Sequence, residues 1–103
     1  MKSIYVISVK RIKGILSGKL LSEGECEWNY LVKDNGPMGS GEDVFSSGLR
    51  GIIKFRSVEE AVEYWNKQHK GKNDYTNRLL HEDGFDESTF GVRKLVFKTM
   101  KKL

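Results

Sequence analysis

RSVEEAVEYWNKQHKGK, residues 56–72, decides the fold class. Ser57 is an N-cap by type, and Glu60 three residues later completes a capping box. In that motif each residue satisfies a backbone N–H that the first helical turn leaves unpaired. Val58, Ala61, Val62 and Trp65 follow at the i, i+3, i+4, i+7 spacing of one helical face. Glu59, Glu60 and Glu63 occupy the early turns and Lys67, His69 and Lys70 the last, and both groupings suit the helix dipole. Gly71 ends the run. The stretch predicts a helix over residues 57–69, buried along Val58, Ala61, Val62 and Trp65.

The flanking sequence reads mostly as strands. Residues 3–10, SIYVISVK, are β-branched and aromatic and of strand length. Residues 15–21 predict a second strand, broken or bulged at Gly18. Residues 25–32, ECEWNYLV, alternate, with Cys26, Trp28, Tyr30 and Val32 directed inward and Glu25, Glu27 and Asn29 outward. Residues 48–55 give a further extended piece. Residues 74–81 form a shorter helix capped by Asn73 and anchored by Tyr75, Leu79 and Leu80. Residues 82–88 read as a turn and residues 89–100 as the last strand.

The expected architecture is one α+β domain over residues 1–103, in the order β-β-β-(β)-α-(α)-β. It is a mainly antiparallel sheet of four or so strands with one long helix on one face. Trp65, Val62 and Val58 are expected to meet Val6, Trp28 and Phe97 there.

A chain of 103 residues, 38% of them hydrophobic, can build one core and is too rich in large apolar residues to be disordered. The single Cys26 excludes an internal disulfide and a cysteine-based zinc site. Without a secretory signature the chain reads as cytoplasmic. The apolar run at residues 4–9 is too short to span a membrane. The net charge of +4 is distributed in blocks. Residues 1–22 and 92–103 carry five Lys or Arg each and no acid, whereas residues 23–43 and 73–91 are acidic.

KDNGPMGSGED, residues 33–43, sets Gly36, Gly39 and Gly41 around Pro37 and invites a phosphate-binding reading. A P-loop requires a lysine and a hydroxyl directly after its last glycine. Glu42 and Asp43 follow instead and would repel phosphate. A dinucleotide fingerprint needs a strand before, a helix after and a different glycine spacing. The stretch therefore reads as a connection that closes on a partner through Met38, Glu42 and Asp43.

Other chemistries are equally weakly written. HED, residues 81–83, lacks the second histidine of a helical zinc motif. His69 reads as a solvated helix-end histidine and Cys26 as an inward, unreactive thiol. Ser46 and Ser47 lack the setting of a nucleophile elbow. No catalytic, cofactor-binding or metal-binding residue is expected, and the chain reads as a non-enzyme.

Two binding readings remain. Paired terminal strands would gather Lys2, Lys10, Arg11, Lys13 and Lys19 with Arg93, Lys94, Lys98, Lys101 and Lys102. Tyr5 or Trp28 would then offer a stacking surface. The candidate nucleic-acid contacts are Lys10, Arg11, Lys13, Lys98 and Lys101, although the core pattern of the commonest RNA-binding module is missing from FGVRKLVFK. An acidic loop on a basic scaffold alternatively complements a charged protein or nucleoprotein.

In general character the chain resembles the small accessory proteins of bacteriophages and mobile elements, among them anti-CRISPR proteins. The resemblance rests on a short motif-free α+β chain with mixed charge blocks, the opening MKSIYVISVK and the ending FKTMKKL. It implies a stoichiometric inhibitor of a host defence complex and transfers no functional residue. The expectation is a non-catalytic binding protein for a protein or nucleoprotein partner, with no membrane association. The alternative is a small basic nucleic-acid-binding domain.

Overall fold

The apolar run near the N-terminus becomes one of the sheet's two inner strands, because it is apolar on both faces. The computed structural model describes residues 2–14, 17–34, 41–81 and 84–97, without the side chains of Lys2 and Phe97. Its elements are β1 (Lys2–Arg11), β2 (Glu27–Lys33), β3 (Asp43–Ser46), α1 (Val58–Gln68), α2 (Tyr75–Leu80) and β4 (Phe85–Phe97). The four strands form one antiparallel sheet in the order β3-β2-β1-β4. The α+β class and the antiparallel sheet agree with the sequence reading, and the terminal strands do pair.

Alternation along β1 separates the two faces of the sheet. Ile7 packs with Leu31, Phe55 and Ala61, and Val9 with Leu80 and Phe85. That face carries the helices. Ile4, Val6 and Ser8 point to the other face, on which no helix lies among the described residues.

Residues 51–55 fill the gap where β1 and β2 diverge. The Lys33 N–H donates to Gly51 O at 2.9 Å and the Ile53 N–H to Leu31 O at 3.1 Å. Tyr5 and Phe55 exchange a pair of backbone bonds at 3.0 and 2.9 Å. Gly51 has φ +75°, and a Cβ there would lie 2.8 Å from Lys33 O, so only glycine fits. The glycine-rich stretch joins β2 to β3 as a hairpin. Its neck is closed by the Asp34 N–H donating to Glu42 O and the Gly41 N–H donating to Asp34 O, each at 2.9 Å. Met38, Lys98 and Lys101 lie outside the described residues.

Helix α1 starts at the expected N-cap, but the return bond of the capping box goes to Arg56 and not to Ser57. Ser57 Oγ accepts from the Glu60 N–H at 3.1 Å, and the Glu60 carboxylate accepts from the Arg56 N–H at 3.2 Å. Its buried face, however, is rotated from the expected one. Ala61, Tyr64, Trp65 and the C-cap His69 turn inward, while Val58 and Val62 are 45% and 44% exposed. The aromatic pair outcompetes the valines because each ring buries more area, Tyr64 on Phe55 at 5.3 Å and Trp65 on Phe90 at 4.8 Å. Val6 and Trp28 lie on the opposite sheet face and do not meet the helix.

Three further expectations are corrected. The described part of residues 15–21 forms no strand, only one bridge from Lys13 to Leu20, whose side chain faces water. Helix α2 is capped by Asp74 and not Asn73, and Leu80 is buried while Tyr75 is exposed. Strand β4 begins at Phe85, inside the expected turn, because Phe85 is buried opposite Arg11. A bulge follows, where Thr89 Oγ1 accepts from the Lys10 N–H at 2.9 Å and donates to Asp86 O at 2.6 Å.

Cys26 also differs from expectation. It precedes β2, is half-buried, and its Sγ lies 3.4 Å from Ser22 O. The buried residues of β2 on the helix side are Asn29 and Leu31. We therefore expect a soluble thiol reagent to label Cys26 in the native protein without denaturant. Labelling only after unfolding would return it to the core. Among the described residues no helix is long and apolar enough to cross a membrane.

Candidate functional site

The most densely bonded polar group lies where β3, α1 and α2 meet. Asp43 opens β3 on the helix side of the sheet and is only 4% exposed. Its Oδ2 accepts from the Tyr64 hydroxyl at 2.6 Å and lies 2.7 Å from His69 Nε2. Its Oδ1 receives no well-directed hydrogen bond but has the Lys33 ammonium 2.8 Å away. His69 Nδ1 lies 2.9 Å from Asp74 Oδ2, and Asp74 Oδ1 accepts from the Asn77 N–H at 2.8 Å as the cap of α2. Thr76 Oγ1 donates to Asp43 O at 2.6 Å. The imidazole thus bridges two carboxylates.

This placement overturns two sequence expectations. His69 is 7% exposed and internally bonded, not solvated. Asp43 is only 4% exposed and its carboxylate is held from within by Tyr64, His69 and Lys33, so it is not the open contact residue expected. Neighbouring Glu42 is exposed, at the rim of a depression of about 170 Å³ beside the cluster. Among the described residues no group of three or more His, Cys, Asp or Glu is arranged to hold a metal ion.

The electrostatics follow from the contacts. Burial by itself would raise the pKa of Asp43, but Lys33, Tyr64 and His69 stabilise the carboxylate more and hold it below the usual value. Asp74 is likewise lowered, its partial burial outweighed by the Asn77 N–H and His69. Burial and the carboxylate it donates to push the Tyr64 hydroxyl well above its ordinary value.

A carboxylate with a depressed folded pKa contributes stability above its unfolded pKa and loses it as pH falls through the folded one. The melting temperature is therefore expected to drop below about pH 4, the unfolded aspartate range. Asp74→Asn should melt lower at neutral pH and show a flatter acid limb. An unchanged acid limb would show that Asp74 does not contribute.

The predicted basic cluster is split by the sheet. Lys10 lies on the helix-free face, opposite Trp28. Arg11 lies at the end of the other face, with its guanidinium 4.3 Å from the centroid of the Phe85 ring and its Nε buried without a hydrogen bond. A Cβ on Gly84 would come within 2.9 Å of that guanidinium. Lys13 and Arg11 line a shallow depression together with Glu25 and Glu27, so acids share their surroundings.

On the helix-free face the Arg93 guanidinium lies 4.2 Å from the centroid of the Trp28 ring. Trp28 stands opposite Lys10 and Arg93 opposite Val6, so their stack crosses β1 over Ser8, midway between. This accounts for the burial of Val6 and Ser8 where no helix covers them. Tyr5, the other stacking candidate, packs on the helix side.

The third feature is apolar. Beside the exposed Val58 and Val62, a cleft of about 200 Å³ separates α1 from β4. Ile7, Ala61, Trp65, Phe90 and Val92 line it with Val62. Further along the same side of β4, beyond the exposed Lys94, Val96 is 52% exposed. No sequence motif marks this shoulder. Its only signal was an apolar stripe on α1 wider than one buried face requires. No family model, curated protein or solved structure matches the chain.

Proposed function

We propose that the chain is a non-catalytic binding protein, a stoichiometric inhibitor or modulator of a protein or nucleoprotein partner. The observation that carries this reading is the apolar shoulder of α1, where Val58 and Val62 stand in water beside an apolar cleft against β4. Contiguous exposed apolar surface on a small domain marks an interaction site, because leaving it wet is costly. The Asp43, His69 and Asp74 cluster adds support, since Asp43 Oδ2 and both His69 nitrogens are engaged within it.

The test is a pull-down from a lysate of the source cells, with and without nuclease, using the full chain and Val62→Lys. We expect a partner that survives nuclease and is lost with the variant. Loss on nuclease treatment alone would refute a direct protein partner.

A second reading, a small basic nucleic-acid-binding domain, is favoured by the Trp28–Arg93 stack with Lys10 beside it. Two cations on single-stranded DNA give a slope of log affinity against log salt of about −1.4, at about −0.7 per phosphate. A slope at least that steep, flattened by Lys10→Glu with Arg93→Gln, would establish this alternative.

A further inference from the structure

The outer surface of α1 carries its charges in a self-complementary order. Residues 59, 63, 66 and 70 recur every three or four positions and share one ridge, which faces away from the sheet. They read Glu59, Glu63, Asn66 and Lys70, the last in the turn just past the C-cap His69. Glu60 and Lys67 flank the ridge on one side, and the Val58 and Val62 shoulder flanks it on the other. All of these side chains are exposed, and among the described residues none of the charged ones forms an ion pair within the chain.

The helix dipole explains acids in the first turn and bases in the last, but it fades within a turn and leaves Glu63 unexplained. On an isolated helix Glu59 and Glu63, one turn apart, repel each other. A cation brought in from outside would offset that cost.

We propose that a second copy of the chain covers this surface, with the two α1 helices antiparallel about a two-fold axis. An axis crossing the ridge midway between Glu63 and Asn66 sets Glu59 against Lys70 of the other copy. It also sets Glu63 against that copy's Asn66, and symmetry makes each contact twice. Glu60 then lies beside the other copy's Lys67, and the two apolar shoulders meet on the flank towards β4.

The remaining charges nearby keep the match. Lys94 stands opposite Tyr5, which pairs with Phe55 just before α1, so it lies near the start of the helix. With Arg56 and Lys94 counted beside Glu59, Glu60 and Glu63, that end holds three acids and two bases. With Lys72 and Asp74 counted beside Lys67 and Lys70, the other end holds three bases and one acid. Antiparallel helices bring unlike ends together, whereas parallel ones would oppose like ends. A contact one helix long belongs with the small, weak interfaces of under about 1,200 Å². The dimer therefore closes the shoulder reversibly, and a heterologous partner competes with the second copy for it.

This inference goes beyond the partner reading and is tested on the purified full chain alone, so a failed lysate pull-down would leave it standing. Sedimentation velocity is measured from about 10 μM to about 1 mM protein. We expect wild type to pass from monomer towards dimer over that range, and the dimer to weaken as salt is raised. Glu59→Lys and Lys70→Glu should each weaken association about tenfold or more, since each turns two attractive pairs into repulsive ones. Mixed in equal amounts, the two variants should form a heterodimer within about threefold of the wild-type affinity, because both pairs are matched again. Both positions are exposed, so both variants should fold, as circular dichroism will show. A chain still monomeric at the top of the range would overturn the proposal. So would a dimer indifferent to either reversal, or a mixture that associates no more tightly than the single variants.

Discussion

Asp43→Ala is expected to cost about 3–5 kcal/mol, the range found when one member of a buried ionic group is removed. The loss is large because three groups depend on the carboxylate at once: the Tyr64 hydroxyl, His69 Nε2 and the Lys33 ammonium. Removing it leaves the imidazole and the hydroxyl in a place that water scarcely reaches. For a domain of this size the melting temperature should fall by roughly ten degrees or more. A change of only a few degrees would show that the carboxylate does not hold β3 to the helices. Charge reversal at Asp43 would consequently report on folding, and exposed Glu42 is the cleaner probe of whether this hairpin meets a partner.

Trp65→Ala is the second large effect. The ring lies 4.8 Å from Phe90, 4.9 Å from His69 and 6.4 Å from Phe45, centroid to centroid, and touches both apolar clusters. The expected cost is about 3 kcal/mol, at the lower end of the range for truncating a buried tryptophan, because part of the ring is solvent-accessible. The same change widens the cleft it lines, so stability and docking should fall together. Val62→Lys should lower only docking. Chemical denaturation of both variants checks this. Equal stability of Trp65→Ala and wild type would mean that the ring does not join the core.

How much of this was legible depended on the distance between interacting residues. Ser57 and Glu60 announced α1 because capping is settled within four residues. β1 and β4 were legible as strands from their β-branched content. The buried cluster was not, because Asp43 and His69 are 26 residues apart and an acid beside glycines reads as surface. One signal was present: His69 stands four residues after Trp65 and eight after Ala61, on the face that proved to be inward. β2 misled because Trp28, Tyr30 and Val32 alternate more cleanly than Asn29 and Leu31, yet alternation cannot say which face receives the helices. Val58 and Val62 were assigned to the core by spacing, and that surplus apolar stripe forms the candidate docking shoulder.

The Trp28–Arg93 stack has an optical consequence. The chain's two indoles stand on opposite faces of the sheet, Trp65 under α1 and Trp28 beneath a guanidinium on the helix-free side. Each is thus a built-in fluorophore for one candidate surface. In Trp28→Phe the remaining emission reports the α1 side, and in Trp65→Phe it reports the Arg93 side. A partner seated on the Val58 and Val62 shoulder should shift the Trp65 spectrum and leave Trp28 nearly silent, whereas a nucleobase entering the other face must displace or share the guanidinium and do the reverse. Titrating two single-tryptophan variants would therefore tell which side a ligand occupies, without any added label.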